Sequence, residues 1–211
     1  MTGDSRSDGE RVPVTMGRGN IRAMAILPIT VTGEPVLHRV NKPVEKFDDQ
    51  LRALVADMFE TMYAAPGVGL AAPQVGVDAR LFVYGWEDDE GIEHKGVAVN
   101  PELFISPYPL DPLTHDNDDE GCLSVPSYRY PTRRAERAIL RAYDEHGTPY
   151  ELEAEGWLAR IWQHEYDHLN GILYVNRLEG KTYTAAQKAI RREGWGEPGV
   201  TWHPEDDDIN A

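Results

Sequence analysis

Cysteine is almost missing from this chain of 211 residues: Cys122 stands alone. A single thiol excludes an internal disulfide and leaves the fold to its apolar core. Long apolar runs are missing too. None approaches the roughly 20 residues that span a bilayer. The polar, glycine-rich stretch Met1–Asn20 lacks the apolar centre of a secretory signal. The expectation is a cytoplasmic protein with no membrane association. Positive charge is in deficit, with 21 Lys and Arg against 36 Asp and Glu and a net charge of −15. That balance argues against direct, specific nucleic-acid binding or an anionic-membrane surface. No internal repeat or interdomain linker is visible, and the length suits one substantial core.

The most regular amphipathic pattern begins after Asp48 or Asp49, either of which can cap a helix. Leu51, Leu54, Val55, Met58, Phe59 and Met62 recur at helical spacing, and Ala65-Pro66-Gly67 ends the run. Leu81–Tyr84 and Gly96–Val99 read as strands joined by the acidic turn Glu87–Glu93. Proline-rich Pro101–Pro112 reads as an irregular connection, and the acidic run Asp116–Gly121 as a solvated loop. Ala138–Tyr143 and Tyr150–Glu153 flank a turn at His146-Gly147, Ile172–Val175 reads as a short strand, and Thr184–Arg192 as a final helix. Strands come in groups rather than alternating with helices, which predicts an α+β fold.

The densest chemistry lies in Gln163-His164-Glu165-Tyr166-Asp167-His168, a His-Glu-x-x-His pattern. The stretch from about Ala154 to Asn170 has no proline, and Trp157, Ile161, His164 and His168 fall on one stripe of a helix. Leu158, Trp162, Glu165 and Leu169 form the adjacent stripe, and Asn170-Gly171 is a suitable stop. Imidazoles four apart on one helical face can share a metal ion, with Glu165 beside them as general base. Buried histidines satisfied within a core are the bland alternative. It is weakened because three polar groups on an inward face are costly without a purpose.

Such a pair needs a third ligand. In one metallopeptidase class it is a histidine beyond a downstream glycine, but Tyr174 stands at that position. Glu179 and Glu193 remain as downstream carboxylates, and Cys122 in Glu120-Gly121-Cys122-Leu123-Ser124 as an upstream thiolate. A Cys/His/His set leaves a tetrahedral ion one open position. The acidic run lacks the carboxylate a calcium loop needs at its twelfth position, where Ser127 stands. Gly67-Val68-Gly69-Leu70-Ala71-Ala72-Pro73-Gln74 imitates a dinucleotide fingerprint, but a helix precedes it and Pro73 interrupts the helix that the fingerprint needs next. The bland alternative is a tight turn between helix and strand; a sharper one is that its glycines admit a peptide close to the backbone while the Gln74 amide faces an oxyanion.

Together, the segments Gly67–Gln74, Glu120–Ser124 and Gln163–Gly171 resemble the three signature motifs of the peptide deformylases, in the family's order. The resemblance extends from about Ile26 to Arg192, with no departure at a motif position. It implies antiparallel β-sheets packed around a central helix carrying the His-Glu-x-x-His motif. It also implies hydrolysis of the formyl group on the N-terminal formyl-methionine of newly synthesised polypeptides, releasing formate.

By the same resemblance, Cys122, His164 and His168 bind one divalent metal, with Fe2+ foremost and Zn2+, Ni2+ or Co2+ as alternatives. Glu165 is the general base and later the acid, while the Gln74 amide and the Leu123 backbone N–H hold the oxyanion. Gly69 pairs with the substrate main chain, Val68, Leu123 and Ile161 line the methionine pocket, and Arg129 lies near the substrate's exit. The implied partners are N-formylmethionyl nascent polypeptides and, through the final helix with Lys188, Arg191 and Arg192, a transient ribosome contact, although those three basic residues read first as a solvated helix face. The expected layout is a flexible arm over residues 1–20, one catalytic domain over 21–193 and a loose acidic tail over 194–211. A zinc endopeptidase with a carboxylate ligand and a non-catalytic metal-binding domain are the competing readings.

Overall fold

The computed structural model describes residues 24–206. Thus the arm over 1–20 and the last five residues lie outside the described region. Nine strands and four helices are present in this region. In chain order they are β1 (Ile29–Thr30), α1 (Asp49–Ala64), β2 (Gly69–Ala71), β3 (Leu81–Glu87), β4 (Glu93–Ile105), α2 (His115–Asp118), β5 (Asp119–Cys122), β6 (Val125–Pro131), β7 (Arg137–Tyr143), β8 (Pro149–Glu155), α3 (Gly156–Leu169), α4 (Gly180–Arg192) and β9 (Thr201–Trp202). A five-stranded antiparallel sheet runs in the order β2-β3-β4-β7-β8, and β5-β6 and β1-β9 form two smaller antiparallel pairs. The fold is α+β.

Alternation in β3 explains the layering, because successive side chains point to opposite faces. Leu81 and Val83 join Leu51, Val55, Met58 and Met62 of α1 in one apolar cluster. Phe82 and Tyr84 join Ala98, Leu140 and, from α3, Ala159, Ile161, Trp162 and Leu169 in another. The large sheet thus lies between α1 and α3, and each fully buried apolar side chain contributes about 1.5–3 kcal/mol. Asp48 caps α1, its carboxylate accepting from the Gln50 and Leu51 amides. The inward stripe of α3 holds for Ile161, His164 and His168, whereas Trp157 is 37% exposed.

Several local expectations need correction. Ile172–Val175 does not form a strand. Gly171, at φ +73°, turns the chain out of α3, and Tyr174–Asn176 closes a 3-10 turn with the Asn176 side-chain carbonyl accepting the Leu173 amide at 2.8 Å. Leu173, Tyr174 and Val175 are buried in a third apolar cluster with Val125 and Ile190. A short apolar run carries no period by which strand and turn can be told apart. The stretch after Pro101 is regular as far as Ile105, because β4 absorbs the proline at a register shift between Val99 and Glu102.

The segment after Gly194 is not loose as far as residue 206. Thr201–Trp202 pairs with Ile29–Thr30, and Trp202 is buried. The acidic run is not a solvated loop throughout, because Glu120 is buried in β5.

Candidate metal centre

Helix α3 brings the His164 and His168 rings edge to face, with centroids 4.8 Å apart and Nε2 atoms 3.1 Å apart. Cys122 ends β5, and its Sγ lies 3.3 Å from His168 Nε2. All three donor atoms lie within 4.8 Å of one another. A tetrahedral ion with nitrogen ligands at 2.0–2.1 Å and a thiolate at 2.3 Å requires donor–donor edges of about 3.3–3.6 Å. Two of the three edges, at 3.1 and 3.3 Å, come close to this, and the third is within 4.8 Å. Beside them Glu165 is buried, and its Oε2 has no hydrogen-bond partner. One soft and two borderline donors around an orphaned carboxylate oxygen fit a hydrolytic metal and its water.

The ligands are held from behind. His164 Nδ1 lies 2.6 Å from Glu120 Oε1, which fixes the proton on Nδ1 and turns Nε2 toward the cysteine. Arg134 grips Glu120 with Nη2 at 2.5 Å and Nε at 2.9 Å, and reaches Asp167 Oδ2 with Nη1 at 2.6 Å. Asp167 is held in turn by Arg177, with Nη2 at 2.5 Å from Oδ1. Two carboxylates and two guanidiniums therefore form a charge-balanced relay, the buried charges being paired as burial requires. Burial alone would raise the Glu120 pKa, but the Arg134 guanidinium holds the carboxyl well below its usual range. Glu165 has no such partner, and burial pushes its carboxyl up to about 7.

The glycine-rich segment forms the opposite wall. At Gly69 a Cβ would collide with the Glu165 carboxylate, whose Cδ lies 2.8 Å from that point. Glycine is therefore required there by the general-base candidate itself. Strand β2 is at the edge of the large sheet, with only β3 beside it, so its outer side suits an extended peptide. Just beyond it, Gln74 Oε1 accepts the Ala71 amide at 2.8 Å, which directs Nε2 at Ser124 Oγ (3.4 Å) and Cys122 Sγ (3.7 Å).

A cavity of about 240 Å³ opens between these walls. Val68, Gly69, Gln74, Cys122, Leu123 and Ile161 border it, as do His164 and Glu165, and Arg129 stands exposed at its rim. His168 lies behind, in contact with Cys122 and His164.

Sequence reasoning missed Glu120, Arg134 and Asp167. The usable signal was a carboxylate two residues before Cys122 and another one residue before His168. Trp157 and Arg160, one turn of α3 before Ile161 and His164, also border the cavity and were not foreseen. Tyr174, standing where a third histidine would be, is buried and donates its hydroxyl to the Tyr128 carbonyl at 2.9 Å. Glu193 accepts from the Tyr128 hydroxyl at 2.5 Å. Among the described residues, neither Glu193 nor Glu179 belongs to the metal-ligating group.

Buried polar groups converging at one end of an apolar sheet–helix core define a metal-dependent hydrolase of the His-Glu-x-x-His kind. Comparison with known proteins narrows the class. Residues 26–183 match the family model described as polypeptide deformylase. The peptide deformylase of Mycolicibacterium smegmatis is 47% identical over 188 residues, covering 86% of this chain and 95% of that protein. That of Tropheryma whipplei is 45% identical over 192 residues, covering 86% and 94%. The crystal structure of peptide deformylase from Thermus thermophilus shares 40% identity at a TM-score of 0.69, covering 80% of this chain and 95% of that one. The chain belongs to the polypeptide deformylase family. It is an enzyme, a hydrolase of protein biosynthesis that removes the N-terminal formyl group from newly made polypeptides.

Proposed function

We propose a division of labour for this reaction. Cys122, His164 and His168 hold the metal, Glu165 moves the proton, and Gln74 with the Leu123 backbone N–H receives the oxyanion. The observation that carries this reading is the buried, unpartnered Glu165 Oε2 beside the three donors. The ion, when bound, supplies Lewis acidity that brings a water's pKa toward neutrality.

Glu165 accepts the proton of the attacking water at its free oxygen. As charge develops on the formyl oxygen, Gln74 Nε2, already oriented by the bond its Oε1 accepts from Ala71, donates to it. Glu165 then returns the proton to the departing amine. Gly69 pairs with the substrate main chain along the open edge of β2. Val68, Leu123 and Ile161 enclose the methionine side chain, and Arg129 meets the peptide where it leaves the cavity.

Fe2+ is the proposed native ion, with Zn2+, Ni2+ or Co2+ as substitutes, since the donor set suits all of them. Elemental analysis of anaerobically purified protein decides among them. The working compartment is the cytoplasm, and among the described residues no helix is long and apolar enough to cross a membrane. Residues 24–206 act as one catalytic unit, with the segment after Gly194 included because Trp202 packs in its core. The exposed Lys188 and Arg191 on α4 make a transient ribosome contact, which salt-dependent co-sedimentation tests.

The main test is formate release from a formyl-Met-Ala-Ser peptide. Glu165→Ala is expected to keep its metal and lose turnover. Full activity in that variant would refute the assignment.

A further inference from the structure

The family match ends at residue 183, yet the chain returns to the metal centre from beyond it. Strand β9 pairs with β1, and each strand supports one wall. From β1, Thr30 Oγ1 donates to the carbonyls of Pro73 and Gln74 at 3.1 and 3.2 Å, behind the oxyanion candidate. From β9, the Trp202 indole Nε1–H donates to the Leu123 carbonyl at 2.8 Å. That carbonyl shares its peptide unit with the Ser124 N–H, and this N–H donates to Cys122 Sγ at 3.4 Å. The order is indole, peptide, sulfur.

Hydrogen bonds in series polarise one another, and more so away from water. Trp202 is 8% exposed and Ser124 is fully buried, so solvent does not replace either link. A bond accepted at the Leu123 carbonyl makes the Ser124 N–H a stronger donor to the sulfur. Outer partners of metal ligands set their orientation and basicity, and hydrogen bonds to a ligating sulfur tune its electronic character.

We propose that Trp202 is a positioning residue of the metal centre. Its indole fixes and polarises the Leu123–Ser124 peptide, so that the Ser124 N–H restrains the Cys122 sulfur and weakens its electron donation to the ion. This rests on Cys122 being a ligand. It extends the working site beyond the last residue matched by the family model.

The test uses the full chain loaded with Co2+, whose thiolate charge-transfer absorption reads donation from sulfur. Trp202→Phe keeps an aromatic ring in place and loses the donor. Its band is expected at lower energy because sulfur donation rises, while the lost restraint on the sulfur outweighs that gain and takes Co2+ affinity down about tenfold by chelator competition. For a formyl-methionyl peptide, kcat falls while KM holds. Val200→Ala trims the same apolar cluster without touching these hydrogen bonds. It is expected to lower Tm and leave the band in place.

An unmoved band in folded Trp202→Phe overturns the proposal, and so does an equal shift in Val200→Ala. A wild-type band that survives Cys122→Ser overturns the ligand assignment instead. Should Trp202→Phe not fold, the wild-type chain loaded with 113Cd decides. Coupling between cadmium and the Ser124 amide proton, with a Trp202 indole proton protected from exchange, is expected. Loss of either signal overturns the proposal.

Discussion

Helices α1 and α3 are of similar length, 16 and 14 residues, and lie on opposite faces of one sheet. Helix α1 presents Leu51, Val55, Met58 and Met62 to the core at spacings of four, three and four. Helix α3 repeats the geometry at its end, but Ile161 is followed by His164 and His168. Gln163, Glu165 and Asp167 are buried with them. Position on the helix is therefore the same instruction in both, and residue chemistry makes one a support and the other a site.

The buried polar groups of α3 also differ among themselves. Gln163 exchanges two hydrogen bonds with the Ala135 backbone, each 2.9 Å. His164 leans on Glu120, and Asp167 on Arg134. Glu165 keeps one oxygen without a partner. Asn41 Oδ1, Trp162 Nε1 and His168 Nδ1 share that state, but of the four residues Glu165 is the one that borders the cavity, which is why the proton-moving role is proposed for it.

Substitutions can break this contrast, beginning where the effect is largest. Glu165→Ala is expected to lower kcat by about 100- to 10,000-fold with metal content unchanged, measured by formate release and elemental analysis. Gln74→Leu removes the oriented donor, and kcat should fall about 100- to 1,000-fold with little change in KM.

Arg134→Met strips Glu120 and Asp167 of their shared cation. It should destabilise the fold by about 3–5 kcal/mol, read from urea unfolding, because buried Glu120 loses its main charge partner and Asp167 is left with Arg177 alone. Met58→Ala does comparable damage on the other face, about 2–5 kcal/mol, through a cavity. It should leave kcat per folded molecule unchanged, whereas Arg134→Met should lower it.

The smallest effect is a pH slope. The folded-state pKa of Glu120 lies below its unfolded value. The stabilisation it contributes is therefore present above the ordinary carboxylate range and is lost as pH falls toward the folded value. Between about pH 5 and 3, where an unfolded glutamate titrates near 4.3, the wild type should lose stability more steeply than Glu120→Gln. Equal slopes would remove Glu120 from the acid response.

Both helices were legible because an apolar stripe repeating every 3.6 residues survives inside either one. The hairpin β3–β4 and the pair β7–β8 were legible from strand runs flanking turn residues. Cys122 stood out only through its neighbours and the order of the motifs. Glu120 was hidden by its surroundings, since an acidic run looks solvated until Arg134, fourteen positions later, is seen against it. Trp202 was hidden by a tail rich in Asp, Gly and Pro. Its burial depends on Ile29–Thr30 at the far end of the described chain, a pairing that no local window contains. Ile172–Val175 misled because its four residues were too few to reveal a period.

Strand β2 is three residues long, and its free margin borders the cavity. So short a margin offers a foreign sheet little to grow on. Yet it can grip an extended chain through amide and carbonyl groups, which almost every residue possesses. On the proposed pairing at Gly69, recognition of that sort would discriminate little among the sequences that come after the first residue, a breadth that suits an enzyme of protein biosynthesis.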